Sequence, residues 1–253
     1  MTLRTKAKQT VKNVFESLGY ELIPRVAANK NFEKDFKKMY LDCREYTCTT
    51  IERMYSLYEA VKYIIDAKVP GDFVECGVWR GGSSMIMAHT LLKMGETGRK
   101  IYLYDTFAGM SKPTEKDVDI ENSSKAIARW NESKEKGINK WAFSPVEEVR
   151  KNMLSTGYPE NKMIFVKGKV EDTIPKTMPS KIAILRLDTD WYESTYHELK
   201  HLFPLLSKRG VLIIDDYGHW AGARQAVDEY IKEKKIKILL NSIDRDSKIG
   251  IKL

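Results

Sequence analysis

Two spacings of apolar residues alternate along this chain. Up to about residue 68 they recur at helical intervals. Ile51, Met54, Tyr55, Tyr58, Val61, Tyr63 and Ile65 fall near one face of a 3.6-residue wheel. Thr49 and Glu52 stand three apart ahead of that run and predict a capping box. Further upstream, MTLRTKAKQTVKNVFESLGYEL is basic, and Val11, Val14, Phe15 and Leu18 share a helical face. So short an apolar face reads as a helix packed on the body or on a second subunit, in preference to one lying on a membrane. AKVPG, residues 67–71, then punctuates the chain with Pro70 and Gly71.

Beyond that point, short apolar runs of strand length alternate with amphipathic stretches. DFVEC (72–76), KIYLYD (100–105), MIFVKG (163–168), IAILRLD (182–188) and GVLIIDD (210–216) read as strands. IKILL (236–240) and KIGIKL (248–253) complete the set as a hairpin-like final pair. Helices are predicted in SMIMAHTLLKM after the first strand, over 192–206 and over 221–232. Another opens at Ser144-Pro145-Val146-Glu147, where proline suits the first helical position and Ser/Glu can box the cap. A long polar stretch fills 108–143. This alternation predicts an α/β fold with a seven-stranded, mostly parallel sheet and helices on both faces. Ligands of such sheets bind outside the carboxyl ends of the strands.

Composition narrows the class. The 253 residues suit one α/β domain with decorations. The chain is 42% hydrophobic and 31% charged, with a mean hydropathy of −0.44, as in ordinary soluble proteins. The net charge is +8, but Lys and Arg are scattered among acids with no block of one sign. That describes a lysine-rich surface and not a nucleic-acid footprint. No run is long enough to span a bilayer, and the first residues lack the apolar centre of a secretory signal. Cys43, Cys48 and Cys76 form no CxxC, which suits a reducing, cytoplasmic setting.

The chemistry-bearing residues gather at strand ends. Glu75-Cys76-Gly77-Val78-Trp79-Arg80-Gly81-Gly82-Ser83-Ser84 joins the first strand to its helix. Its spacing is neither the dinucleotide G-x-G-x-x-G nor a Walker A loop. Glycines there admit a ligand close to the backbone, and Glu75 is placed to receive an ammonium. Asp105 ends the second strand, where a ribose hydroxyl pair is held in nucleoside-binding sheets. Asp188, Asp190, Asp215 and Asp216 end the fourth and fifth strands. Carboxylates so crowded repel one another, and a hard divalent cation with oxygen ligands resolves the conflict. The plain alternative is that some of them cap helices or pair with Arg186 or Arg224.

RMYSLYEAVKY, VPGDFVECGVWRGGSSM, YDTFAGM, GKVEDTIP and LRLDTDWYESTYHELKHLFPLLSKRGVLIIDDYGHWAGARQAVDEY occur in that order. Together they resemble the TylF/MycF family of macrocin-type sugar O-methyltransferases over nearly the whole chain. The resemblance implies a class I, Rossmann-like methyltransferase fold whose last strand is antiparallel. It implies a helical N-terminal extension over 1–68, a methyltransferase domain over 69–253 and a lid at about 108–143, with Trp130 and Trp141 as apolar contacts. S-adenosylmethionine is the expected cofactor, with Glu75, Gly77, Gly81 and Ser83 around its methionine part, Asp105 on the ribose, and Val170 and Glu171 near the adenine. Asp188, beside the cofactor, Asp215 and Asp216 are the expected ligands of Mg²⁺ or another divalent cation. Asp190 is the expected general base, with His219 as its rival. The implied acceptor is a hydroxyl on a sugar or sugar-bearing natural product, and the implied assembly is a homodimer. A nicotinamide oxidoreductase fails on the glycine spacing, and a non-catalytic nucleotide-binding protein leaves the acid cluster without a purpose.

Overall fold

The computed structural model describes residues 31–253. The face formed by Val11, Val14, Phe15 and Leu18 lies outside the described residues. Met39–Leu253 form one compact unit, and the described residues before it belong to a separate one. Helix α1 (Lys34–Cys43) spans that division. Within the earlier unit Phe32 and Phe36 meet edge to face at 5.3 Å.

Helix α2 (Ile51–Asp66) is capped by Thr50, whose hydroxyl accepts the Arg53 N–H at 3.3 Å. The cap expected at Thr49 fails because Thr47 engages that residue's amide and hydroxyl. Ile51, Met54, Leu57, Tyr58, Ala60, Val61 and Ile64 are the buried face of α2. Tyr55, Tyr63 and Ile65, expected on that face, are only half-buried, because the helix is rotated to bring Leu57, Ala60 and Ile64 inward.

Strand β1 (Asp72–Cys76) leads into helix α3 (Gly82–Lys93), then β2 (Ile101–Asp105). The polar stretch 108–143 holds a helix, α4 (Ala126–Glu132), and a small hairpin of β3 (Lys134–Glu135) and β4 (Ile138–Asn139). Helix α5 (Val146–Leu154) starts one residue later than the sequence suggests. Pro145 is its N-cap, and Ser144 donates to the Glu148 carboxylate at 3.3 Å, so no capping box forms. Next come β5 (Met163–Lys167), the short α6 (Val170–Thr173) and β6 (Ile182–Leu187). Helix α7 (Tyr192–Leu202) ends before its expected limit, because Pro204 turns the chain through a 3-10 segment (Phe203–Leu205). Strand β7 (Leu206–Ile214) therefore begins before residue 210. Helix α8 (Ala221–Glu233), β8 (Asn241–Ser242) and β9 (Lys248–Ile251) close the chain. IKILL is not a strand: Ile236, Ile238 and Leu240 satisfy their alternation by packing on the core, and the ladder to β9 is made by Asn241 and Ser242 instead.

The seven-stranded sheet has the order β5-β2-β1-β6-β7-β9-β8. The first five pair in parallel, and β9 runs antiparallel to β7. One face of the pleat carries Val74, Cys76, Tyr104, Leu185, Leu187, Leu212 and Ile214 into a core completed by Leu199, Leu202, Val227 and Tyr230 of α7 and α8. After β1 the chain adds strands on one side, then returns to place β6 on the other. The topological switch point, where open α/β sheets bind ligands, is thus the gap outside the carboxyl ends of β1 and β6. Among the described residues no helix is long and apolar enough to cross a membrane.

Candidate active site

Ladder hydrogen bonds continue one residue past the strand ends. Gly77 N–H donates to Tyr104 O at 2.9 Å, Asp188 N–H to Cys76 O at 2.8 Å, and Asp215 N–H to Leu187 O at 2.9 Å. Gly77, Asp188 and Asp215 therefore stand abreast. Strand pleating then decides which side chains meet. Glu75 is the cross-strand partner of Arg186. Asp188 lies two residues beyond Arg186, and Asp215 two beyond Ile213, the partner of Arg186 on β7. One arginine is thereby surrounded by acids. Its Nη1 donates to Glu75 Oε1 and to Asp188 Oδ2, both at 2.7 Å, and its Nη2 to Asp215 Oδ1 at 2.6 Å. Arg53 reaches in from α2 and donates to Asp215 Oδ2 at 2.7 Å, Asp244 Oδ2 at 2.7 Å and Asp246 Oδ2 at 3.2 Å.

These two guanidiniums do not balance the acids. Glu75, Asp188, Asp190, Asp215 and Asp216 all line one cleft, and Arg53 is shared with Asp244 and Asp246. Burial pushes Asp188 well above the ordinary carboxylate range against the pull of Arg186, with Asp215 and Asp216 adding to the rise. Burial likewise raises Asp216, reinforced by Asp190 and Asp215. Asp190 is pushed up to about 7, first by burial and further by Asp188 and Asp215, while its contact with Asp216 works the other way. Oδ2 of Asp216 is buried without a hydrogen-bond partner. Asp188, Asp215 and Asp216 each offer an oxygen, all within 4.8 Å of one another. An orphaned oxygen in a tight set of hard donors with surplus negative charge fits a divalent cation such as Mg²⁺.

Two cavities meet at this edge. The larger, about 970 Å³ and open to solvent, has the acids on one side and Trp79, Met110, Trp141, His219 and Trp220 among its other walls. The smaller, about 460 Å³, is lined by Tyr104, Asp105, Gly168, Val170, Glu171 and Ser194. Gly77, Met110, Ala142 and Asp188 border both. Gly77 is at φ +82°, and a Cβ there would lie 1.9 Å from the Asp188 carbonyl oxygen, so only glycine fits. Trp79, Phe107, Ala142 and Asp190 also have positive φ, between 49° and 69°, a strained backbone that clusters at functional sites.

Of the expected residues, Gly77, Asp105, Val170, Glu171 and Asp188 border the smaller cavity. Glu75, Ser83, Asp190, Asp215, Asp216 and His219 border the larger. Gly81, at φ +94°, is the N-cap of α3 and borders neither. Glu75 is 1% exposed and already engaged, one oxygen by Arg186 and the other by the Ser84 hydroxyl. Burial still leaves it above its ordinary value. Asp105 accepts the N–H groups of Val78, Trp79 and Phe107 at 2.7, 3.0 and 2.7 Å, so it also braces the glycine turn. His219 stacks edge to face on Trp220 at 4.7 Å, with Nε2 3.9 Å from Asp119. Trp130 lies off both cavities, its indole N–H donating to Met110 O at 2.8 Å. Arg224 turns to the Tyr217 carbonyl at 3.0 Å and makes no ion pair with the acids. Sequence reasoning missed Arg53, Arg129, Trp79 and Trp220.

Comparison with known proteins bears on this geometry. The family model described as macrocin-O-methyltransferase (TylF) matches residues 2–249. A tetracenomycin-C 4'-O-methyltransferase from Streptomyces olivaceus, acting on the dimethoxyrhamnosyl compound, is 36% identical over 79% of this chain and 72% of its own. Demethyldecarbamoylnovobiocin O-methyltransferase from Streptomyces niveus is 34% identical over 79% and 73%. Among solved structures, the O-methyltransferase NovP superposes with a TM-score of 0.73 at 32% identity over 82% of each chain. A calicheamicin methyltransferase, 17% identical with a TM-score of 0.61 over 99% of this chain and 96% of that one, shares the fold.

Proposed function

Starting from the fact that this chain belongs to the TylF macrocin-O-methyltransferase family, we propose that it transfers a methyl group from S-adenosylmethionine to a hydroxyl of a sugar borne on a natural product, with help from a divalent metal. The observation that carries this reading is the position of Asp188. It borders both the smaller cavity and the acid-lined cleft, so a donor in one and an acceptor in the other meet beside it. Relatives named as sugar or natural-product O-methyltransferases support the acceptor class.

Residues Gly77, Asp105, Val170 and Glu171 would hold the cofactor's nucleoside, which fits a cavity lined by Asp105, Glu171 and Asp188. Asp188, Asp215 and Asp216 would hold the metal. Bound there, the cofactor supplies an electrophilic methyl group and the metal a Lewis acid toward the acceptor oxygen. The protein supplies the rest. Asp190, beside Asp188 and Asp216 on the wall of the larger cleft, takes the hydroxyl proton as the new C–O bond forms. Trp79, Trp141 and Trp220 present apolar faces that exclude water and orient the ring. Arg186 and Arg53 fix Asp215 and keep the acids from dispersing. The stretch 108–143 roofs the cleft through Met110, Arg129 and Trp141.

The test is turnover of a panel of deoxysugar glycosides with labelled S-adenosylmethionine, with Mg²⁺ or after chelation. An O-methyl ether formed one-for-one with S-adenosylhomocysteine, lost on chelation and restored by Mg²⁺, is expected. Turnover indifferent to chelation would remove the metal from the scheme. Failure to bind the methyl donor would remove the scheme itself.

A further inference from the structure

The polar stretch between β2 and α5 contains a fully buried carboxylate that the reading above leaves unused. Asp117 is 0% exposed, and neither cavity includes it. Among the described residues it forms no ion pair. Its Oδ1 accepts the backbone N–H of Tyr192 at 2.8 Å, and its Oδ2 accepts the N–H and hydroxyl of Thr114 at 2.6 and 2.9 Å. Tyr192 is the first residue of α7, whose N-cap, Trp191, offers no side-chain hydrogen bond. Asp117 therefore caps that helix from a distant part of the chain. It also abuts α8: a Cβ on Gly222 would lie 2.1 Å from Asp117 Oδ1, and α8 likewise lacks a side-chain cap. The N-termini of two helices thus meet at one buried carboxylate, α7 through a hydrogen bond and α8 through close packing, while the first N–H of α8 donates to Val118 O at 2.9 Å.

Those helices follow directly on the two acid-bearing loops. Asp190 lies two residues before Tyr192, at the strained φ of +69°. Asp215 and Asp216 lead into α8 through the turn at His219, which Ile120 N–H and Val118 O pin from the same polar stretch at 2.9 Å each. We propose that Asp117 is a positioning residue for methyl transfer: it ties the loop of Asp188 and Asp190 to the loop of Asp215 and Asp216 and holds the four acids in register. This rests on the methyltransferase reading of the cleft, since it assigns the register a catalytic purpose.

The role predicts a split between readouts. The smaller cavity takes Tyr104, Asp105 and Thr106 from the end of β2 and Gly168, Lys169, Val170 and Glu171 from the turn after β5, which make no hydrogen bond to Asp117, so cofactor binding should survive its loss. The acid constellation should not. The experiment compares wild type with Asp117→Ala, Gly222→Ala and Thr114→Val. Folding is followed by circular dichroism, S-adenosylhomocysteine binding by calorimetry, Mn²⁺ binding by electron paramagnetic resonance and turnover with a glycoside acceptor. For Asp117→Ala and Gly222→Ala we expect a loss of ten-fold or more in both kcat and Mn²⁺ affinity, with cofactor affinity within about two-fold. Thr114→Val, which removes one contact and threatens the fold least, should lose two- to five-fold in the same two readouts. Wild-type kcat and Mn²⁺ affinity in folded variants would overturn the proposal. So would equal loss of cofactor and metal binding in Thr114→Val, which would mark Asp117 as a general stabiliser. A wild-type protein that binds no methyl donor would instead overturn the methyltransferase reading, and Mn²⁺ binding would still report on the tie.

Discussion

Arg186 donates from Nη2 to Oδ1 of Asp215 across 2.6 Å, and the two side chains are 3% and 4% exposed. The same guanidinium holds Glu75 and Asp188. Removing it takes a counter-charge from three carboxylates, of which Glu75 and Asp215 are only 1% and 4% exposed. Breaking a buried ion pair from one side costs about 3–5 kcal/mol. Arg186→Leu should therefore lose about that much unfolding free energy, read from the urea midpoint at constant slope. An unchanged midpoint would mean that the acids neutralise themselves without it.

Gly77 has no room for a Cβ, because the Asp188 carbonyl oxygen occupies the place. Gly77→Ala should force the β1 turn away from β6 and open the floor of the smaller cavity. Calorimetry should show affinity for S-adenosylhomocysteine reduced at least ten-fold. Retained affinity would show that the turn relaxes without disturbing the cavity.

Asp190→Asn keeps the shape of the site and removes the proton acceptor. Loss of about 10²–10⁴-fold in kcat, the usual contribution of a general base, is expected with Mn²⁺ affinity largely kept. Near-normal turnover would transfer the role to His219 at the same cleft.

Glu198 is 0% exposed; Thr189 donates to one of its oxygens at 2.9 Å, and the other has no partner. Burial raises its carboxyl well above the ordinary value. The folded protein therefore holds a proton that the unfolded chain releases above about pH 4.3. This group's share of stability is complete below that pH and is lost as pH rises toward the folded value. Glu198→Gln should melt higher than wild type at pH 8, and the gap should narrow toward pH 4. A pH-independent difference in melting temperature would contradict this.

Asp244 behaves in the opposite sense. Burial opposes its ionisation, yet hydrogen bonds from Arg53 and from the Ser247 and Asp246 amides hold its carboxyl down at about 2. Its stabilising share is complete above the unfolded value near 3.9 and is lost as pH falls through about 2. Acid unfolding of Asp244→Asn between pH 4 and 2 should be shallower than that of wild type.

Much of this was legible before any coordinates. The apolar runs ending in acids gave the parallel strands, and the return of the chain across β1 put those ends together. The meeting of Glu75, Arg186, Asp188 and Asp215 follows from a two-residue pleat and a register in which Cys76, Leu187 and Ile214 align. Arg53 was hidden because its three partners lie 162, 191 and 193 residues away, and no local pattern encodes such a meeting. Asp117 was hidden for another reason. Surrounded in sequence by Lys112, Glu115, Lys116 and Asp119, it reads as solvated loop, and only the packing of two helix ends buries it completely. IKILL misled because alternation reports which side chains go inward, not whether the backbone finds a strand to pair with.

The Arg53 clamp also sets an order of events during synthesis. Loop closures of this length form late and are expensive in chain entropy. Until residue 244 has been made, the Arg53 guanidinium lacks two of its three carboxylate partners and has Asp215 alone. A nascent chain can lay down β1, β2 and β5 early and place Arg186 with β6, but Arg53 reaches its full set of partners only as the last hairpin docks.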